Sequence, residues 1–139
     1  MKTPKEIPIF IGLAALFILI SFQTCKKYPN DEGFTLESKT KRVANVWKLD
    51  NYKINNIDLT SLYAGYSEIF TKAGAYSYRW GILGGTGTWA FQNDDDEIKI
   101  TDTKNQTSKT LIILKLEEKQ FWYFYMDGDD KKEFHLVQQ

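Results

Sequence analysis

"EIKITDTKNQTSKTLIILKLEEKQFWYFYMDGDDKKEFHLV", Glu97–Val137, decides the fold. It holds four short runs rich in β-branched and aromatic residues: Glu97–Asp102, Ser108–Leu116, Gln120–Met126 and Lys131–Val137. Ile98 with Ile100, and Phe134 with Leu136, alternate with polar neighbours. That is the period of a strand with one face in a core. Of the segments between the runs, Thr103–Thr107 and Asp127–Asp130 carry Asn, Asp and Gly suited to hairpin turns, and Glu117–Lys119 is a link of three residues. Connections this short force neighbouring strands to run antiparallel.

The pattern continues upstream, through Val43–Ile54, Tyr66–Thr71, Ala75–Trp80 and Thr86–Gln92. Tyr76, Tyr78 and Trp80 share one face, as do Trp89 and Phe91. Two gaps are longer. Asn55–Gly65 suggests a short helical turn capped by Asp58 or Thr60, and Gly81–Gly85 reads as a flexible loop at a barrel mouth. Eight sequential antiparallel strands without a long helix predict an all-β, up-and-down barrel closed by its first and last strands. Closure removes the exposed edges that a sandwich of the same meander would leave.

The chain of 139 residues is one domain by size, and Lys plus Arg equal Asp plus Glu at 18 each. That balance gives no basic excess for nucleic acid. The start has its own character. Lys2 and Lys5 precede Ile9–Phe22, which is uncharged and too short for a bilayer-spanning helix of roughly 20 residues. The only cysteine, Cys25, follows at once, which excludes an internal disulfide and a cysteine-built zinc site. Lys26–Arg42 is mostly polar and reads as a tether, with Phe34 and Leu36 as an alternative short strand or plug.

Ser21-Phe22-Gln23-Thr24-Cys25 resembles the lipobox of bacterial lipoproteins, with Phe22 and Thr24 departing from its preferred residues. The resemblance implies a signal peptide over 1–24, cleavage before Cys25 and diacylglycerol on its thiol. The expected organisation is then signal peptide 1–24, lipidated Cys25 and tether 25–42, and barrel 43–139. Trp47 in "ANVWKLDNY", "EIFTKAGAYSY", and Trp89 in "GTGTWAF" together resemble the lipocalin-like domains of Gram-negative envelope lipoproteins. Lipocalins proper carry Gly where Asn45 stands, so the likeness is to the looser bacterial group. It implies a membrane partner through the lipid anchor and a place in the cell envelope, at the outer membrane.

For catalysis the inventory is thin. His135, the only histidine, alternates away from Phe134 and has no nucleophile beside it, so it is expected on the outer surface. Asp94–Asp96 and Asp127–Asp130 lack the spacing of a calcium loop and read as hairpin turns. A non-catalytic protein without metal or cofactor is expected. Trp47, Tyr76, Tyr78, Trp80, Trp89, Phe91, Tyr123 and Tyr125 are the candidate barrel lining. An eight-stranded barrel is just wide enough to be filled by side chains or to hold one small ligand. Two functions follow: a carrier of a small apolar or amphipathic ligand, or a solid barrel contacting a protein or glycan through loops or an outer aromatic face. Gln120–Met126 is apolar on both faces, so Trp122, Phe124 and Met126 are either covered by the tether or exposed to a partner.

Overall fold

The computed structural model describes residues 27–31 and 36–139. The proposed signal peptide, Cys25 and Phe34 lie outside them. The chain is an all-β, closed antiparallel barrel of eight strands. The strands are β1 (Val46–Ile54), β3 (Ser67–Phe70), β4 (Ala75–Trp80), β5 (Leu83–Gln92), β6 (Glu97–Asp102), β7 (Ser108–Leu116), β8 (Gln120–Asp127) and β9 (Asp130–Gln138). A two-residue ribbon, β2 (Ile57–Asp58), folds back on the end of β1. Neighbours in sequence are neighbours in the sheet, and β1 closes the ring on β9 from Trp47↔Gln138 to Ile54↔Lys132. The pairing Tyr52↔Phe134 belongs to that seam.

Alternation sets the interior. Tyr52, Phe70, Tyr76, Trp89, Ile98, Ile100, Leu111, Ile113, Phe121, Tyr123, Phe134 and Leu136 all belong to one buried cluster. Irregularities between Leu49 and Asn51, and between Ile113 and Lys115, shift the period locally. The second explains why Lys115 and Leu116, adjacent in sequence, are both buried.

Three sequence expectations change. Val43 ends a short helix, α1 (Lys39–Val43), and the first strand begins at Val46. Ser38 Oγ accepts the Lys41 N–H and so starts a helix inside a polar stretch without a hydrophobic period. Gly81–Gly85 is not a loop: only Gly81 and Ile82 turn, and β5 begins at Leu83. Gly81 has φ +59°, which glycine adopts freely, whereas Gly84 and Gly85 pair with Arg79 and Tyr78 as ladder residues. Gly85 is required there because a Cβ would lie 2.6 Å from the Tyr78 ring. The Asn55–Gly65 segment does hold a helical turn, a 3₁₀ turn at Thr60–Tyr63. Its N-cap position is Leu59, without a side-chain cap, while Asp58 Oδ1 accepts the Thr60 N–H at 2.9 Å.

The described part of the tether also packs on the barrel. Tyr28 is 2% exposed, and its hydroxyl donates to the Asp95 carbonyl at 2.8 Å. Lys27 pairs with Asp96 at 2.8 Å and Lys39 with Asp95 at 2.9 Å. The Asp31 carboxylate accepts the Leu116 N–H, and the Arg42 guanidinium donates to the Leu116 carbonyl. The acidic turn Asn93–Asp96, with Asn93, Asp94 and Asp95 at positive φ, is therefore a receptor for the chain's own basic and tyrosine side chains. Leu36 is 91% exposed and plugs nothing.

Strand direction now gives the barrel two unlike poles. The connections 71–74, 93–96 and 117–119 lie at one pole, with α1 and Tyr28 against it. Trp47, fully buried, donates its indole N–H to the Val43 carbonyl at 2.9 Å and seals this end. The segment 55–66, the turn at Gly81-Ile82, and the connections 103–107 and 127–130 lie at the other.

Candidate functional site

The open pole is lined by rings. The 3₁₀ turn brings Tyr63 over the barrel, held because Thr60 Oγ1 accepts from Tyr52 N and Asn51 Nδ2 at 2.9 and 3.0 Å. Tyr63 stacks parallel on Trp80, with centroids 4.5 Å apart. Below them a cavity of about 360 Å³ is bounded by Tyr63, Tyr66, Tyr78, Trp80, Lys109 and Tyr125, among others. A side lobe of about 170 Å³ runs past Tyr76, Tyr78, Ile100 and Lys109 towards the 103–107 connection. Tyr78 and Lys109 border both. The larger of the two alone suits a small molecule, since ligand pockets span roughly 300–1,000 Å³. A larger groove of about 1,340 Å³ follows Ser67, Ile69, Ser77 and Arg79. Those are the outward positions of β3 and β4, so it is a feature of the outer wall.

The eight candidate lining residues divide by height. Tyr76, Tyr78, Trp80 and Tyr125 border the cavity or its side lobe. Trp47, Trp89, Phe91 and Tyr123 border neither and belong to the packed interior. Trp89, for example, spends its indole N–H on the Thr71 carbonyl at 2.9 Å and stacks edge-on against Phe70. The barrel is thus filled in its sealed half and hollow in its open half.

Between the halves lies Glu68, fully buried, which sequence reading passed over. Its Oε1 accepts hydroxyl protons from Tyr66 at 2.6 Å, Tyr123 at 2.8 Å and Tyr76 at 2.9 Å. Its Oε2 is buried with no hydrogen-bond partner. Three donors on one oxygen carry much of what solvent would supply to the carboxylate. Alternation held the signal: Tyr66, Glu68 and Phe70 share a face in "YSEIF", which puts a carboxylate inside. Lys109 was legible the same way, since it shares a face with Leu111 and Ile113 in "KTLII".

Lys109 enters the cavity from β7. Its ammonium lies 4.8 Å from the Tyr125 ring centre and 5.9 Å from that of Tyr76. Burial holds its pKa below the usual lysine range, opposed by the charge of Glu68 and helped by that of Lys132. The tyrosines move the other way. Burial first, and the Glu68 charge next, push Tyr66, Tyr76 and Tyr123 well above the ordinary phenol value. Burial raises Tyr125 to about 12.

These raised values predict an alkaline limit. A group whose folded pKa exceeds its unfolded one contributes stability that is whole below the unfolded pKa, about 10 for tyrosine. That stability drains as pH rises towards the folded values. The tyrosinate absorbance of the Glu68 cluster is expected only together with loss of near-ultraviolet circular dichroism, above about pH 10. Ionisation of all eight tyrosines with the dichroism intact would refute the cluster.

The outer face of β8 and β9 is also resolved. His135 stacks on Trp122 with centroids 4.1 Å apart, and its Nε2 lies 2.7 Å from Glu133 Oε1. The buried Lys115 sets its ammonium 4.4 Å from the Trp122 ring centre. Lys131 covers Phe124 in the same way at 4.5 Å. Trp122 and Phe124 are therefore half-buried beside lysine and histidine side chains, whereas Met126 is 54% exposed. No protein-family model and no curated protein matches this chain.

Proposed function

We propose that this chain is a lipid-anchored, non-catalytic protein of the bacterial cell envelope whose barrel binds a small apolar or amphipathic ligand at its open pole. One observation carries the binding half: a ring-lined cavity of about 360 Å³ above a solid, sealed floor. A barrel serving only as a scaffold gains nothing from leaving its upper half hollow, because unfilled interior forfeits packing energy. The anchoring half rests on the short apolar run that ends at Cys25, and on its likeness to a lipobox. Two or more acyl chains hold a protein stably at a membrane, where one does not.

Native mass spectrometry of the full chain, released from envelope membranes in mild detergent, tests the reading. The expected spectrum shows the lipidated protein with a small co-purifying adduct. Trp80→Ala, which opens one wall of the cavity, should lose that adduct. Cys25→Ser should abolish fatty-acid labelling and leave an uncleaved precursor. A bare protein whose tryptophan fluorescence ignores apolar probes, captured instead with a protein or glycan, would favour the solid-scaffold function.

A further inference from the structure

We infer that the cavity takes an anion: a small carboxylate with a flat aromatic or short apolar body, its head group held by the Lys109 ammonium. The inference rests on the ligand-binding reading above and adds the sign of the charge.

Lys109 is the one basic side chain bordering either lobe of the cavity, among the described residues. Two neighbouring lysines at this pole are already paired. Lys132 pairs with Asp127, and Lys131 with Glu133 at 2.8 Å. Lys109 makes no salt bridge or hydrogen bond among the described residues. Its contacts are the faces of Tyr125 and Tyr76. Ring faces stabilise a cation but accept no strong hydrogen bond, so the three N–H donors of the ammonium are left for a guest.

The acids nearby make no hydrogen bond or salt bridge to the Lys109 ammonium, although the Glu68 charge reaches it. Glu68 borders neither lobe; three phenols saturate its Oε1, and its buried Oε2 makes no hydrogen bond to Lys109. Asp102 borders only the side lobe, where its Oδ1 accepts the backbone N–H groups of Lys104 and Asn105 at 2.8 and 3.0 Å. Charge also decides between an anion and an amine. A ring-lined box is the usual receptor for a cation. Here Lys109 already occupies the ring faces, and a second cation would meet its repulsion in a poorly solvated space. The rings that remain, Tyr63, Tyr66, Tyr78 and Trp80, offer flat apolar walls for the body of the ligand.

The test uses three probes with one ring system and three charges: 2-naphthoate, 2-naphthylmethanol and 2-naphthylmethylamine. Each is titrated calorimetrically into the full chain in lipid nanodiscs, with empty nanodiscs subtracted. The expected order is carboxylate, then alcohol, then amine, with the carboxylate about tenfold or more tighter than the alcohol. Lys109→Gln should bring the carboxylate to the level of the alcohol and leave the alcohol within about twofold, and Lys109→Arg should restore most of the preference. Equal binding of carboxylate and alcohol, or tighter binding of the amine, overturns the anion while leaving a ligand-binding barrel. Failure of all three probes overturns both. The wild-type ranking is read without any variant, so a folding defect in Lys109→Gln cannot hide the outcome.

Discussion

Replacing Glu68 with alanine is expected to cost about 3–5 kcal/mol of stability. Three phenolic hydroxyls lose their shared acceptor in a place where solvent does not reach. Each such charge-assisted bond is worth roughly 1.5–3 kcal/mol, and the sum is tempered because the bonds share one oxygen. Alanine also leaves a void large enough for a water molecule, which recovers part of the loss. Against this stands one gain, since the buried charge and the unpartnered Oε2 disappear. Losing three donors outweighs it. Glu68→Gln separates the two effects. The amide carbonyl keeps the three donors and the charge is gone, but an NH₂ group replaces an oxygen that had no partner. A change within about 1.5 kcal/mol of wild type is expected for it. Urea midpoints measure both variants, and an alanine variant as stable as the glutamine one would show that the cluster is incidental.

Trp47→Ala should be comparably severe, at about 3–5 kcal/mol. The indole is fully buried, lies 5.8 Å from Phe121 between centroids, and ties α1 to β1 through its N–H. Removing it both hollows the sealed pole and frees the helix. Trp47→Phe keeps much of the apolar volume and loses the hydrogen bond, so a cost of about 1–2 kcal/mol is expected. Hydrogen exchange then gives the sharper reading. In Trp47→Phe, the amides of Arg42 and Ala44, bonded to the Ser38 and Thr40 carbonyls, should lose protection while the β1–β9 ladder keeps it. Uniform loss across the ladder would mean that the tryptophan supports the whole barrel rather than its lid. Domains of this size carry about 5–15 kcal/mol in all, so either alanine variant removes a large share.

The sequence legibly held what is local. Strand alternation and hairpin chemistry marked all eight barrel strands, and closure followed from the cost of open edges. What alternation conveys poorly is height along the barrel. Trp89 and Trp80 both point inward, yet one is packed and the other borders space, because strand tilt and stagger set the level at which each ring sits. Gly84 and Gly85 looked like a loop because glycine disfavours strands in isolation. Here the Tyr78 carbonyl crowds the first and the Tyr78 ring the second, a tertiary demand that composition does not announce. The docking of Tyr28 on Asp95 joins residues far apart in sequence, and nothing in "KKYPNDE" points to it. Glu68 and Lys109 were within reach, since each occupies an inward position between apolar neighbours.

The clasp between Lys27–Asp31 and the sealed pole fixes how an anchored molecule would stand. Only two peptide steps separate Cys25 from Lys27, a reach of at most about 7 Å. With acyl chains on that thiol, the blunt end carrying Trp47 and α1 sits down on the headgroups, and the rim of Tyr63 and Trp80 looks out across the aqueous compartment. Such a molecule is an upright cup rather than a buoy on a line. A guest bound at that rim would then come from the water above, with the leaflet beneath as a floor rather than as the source.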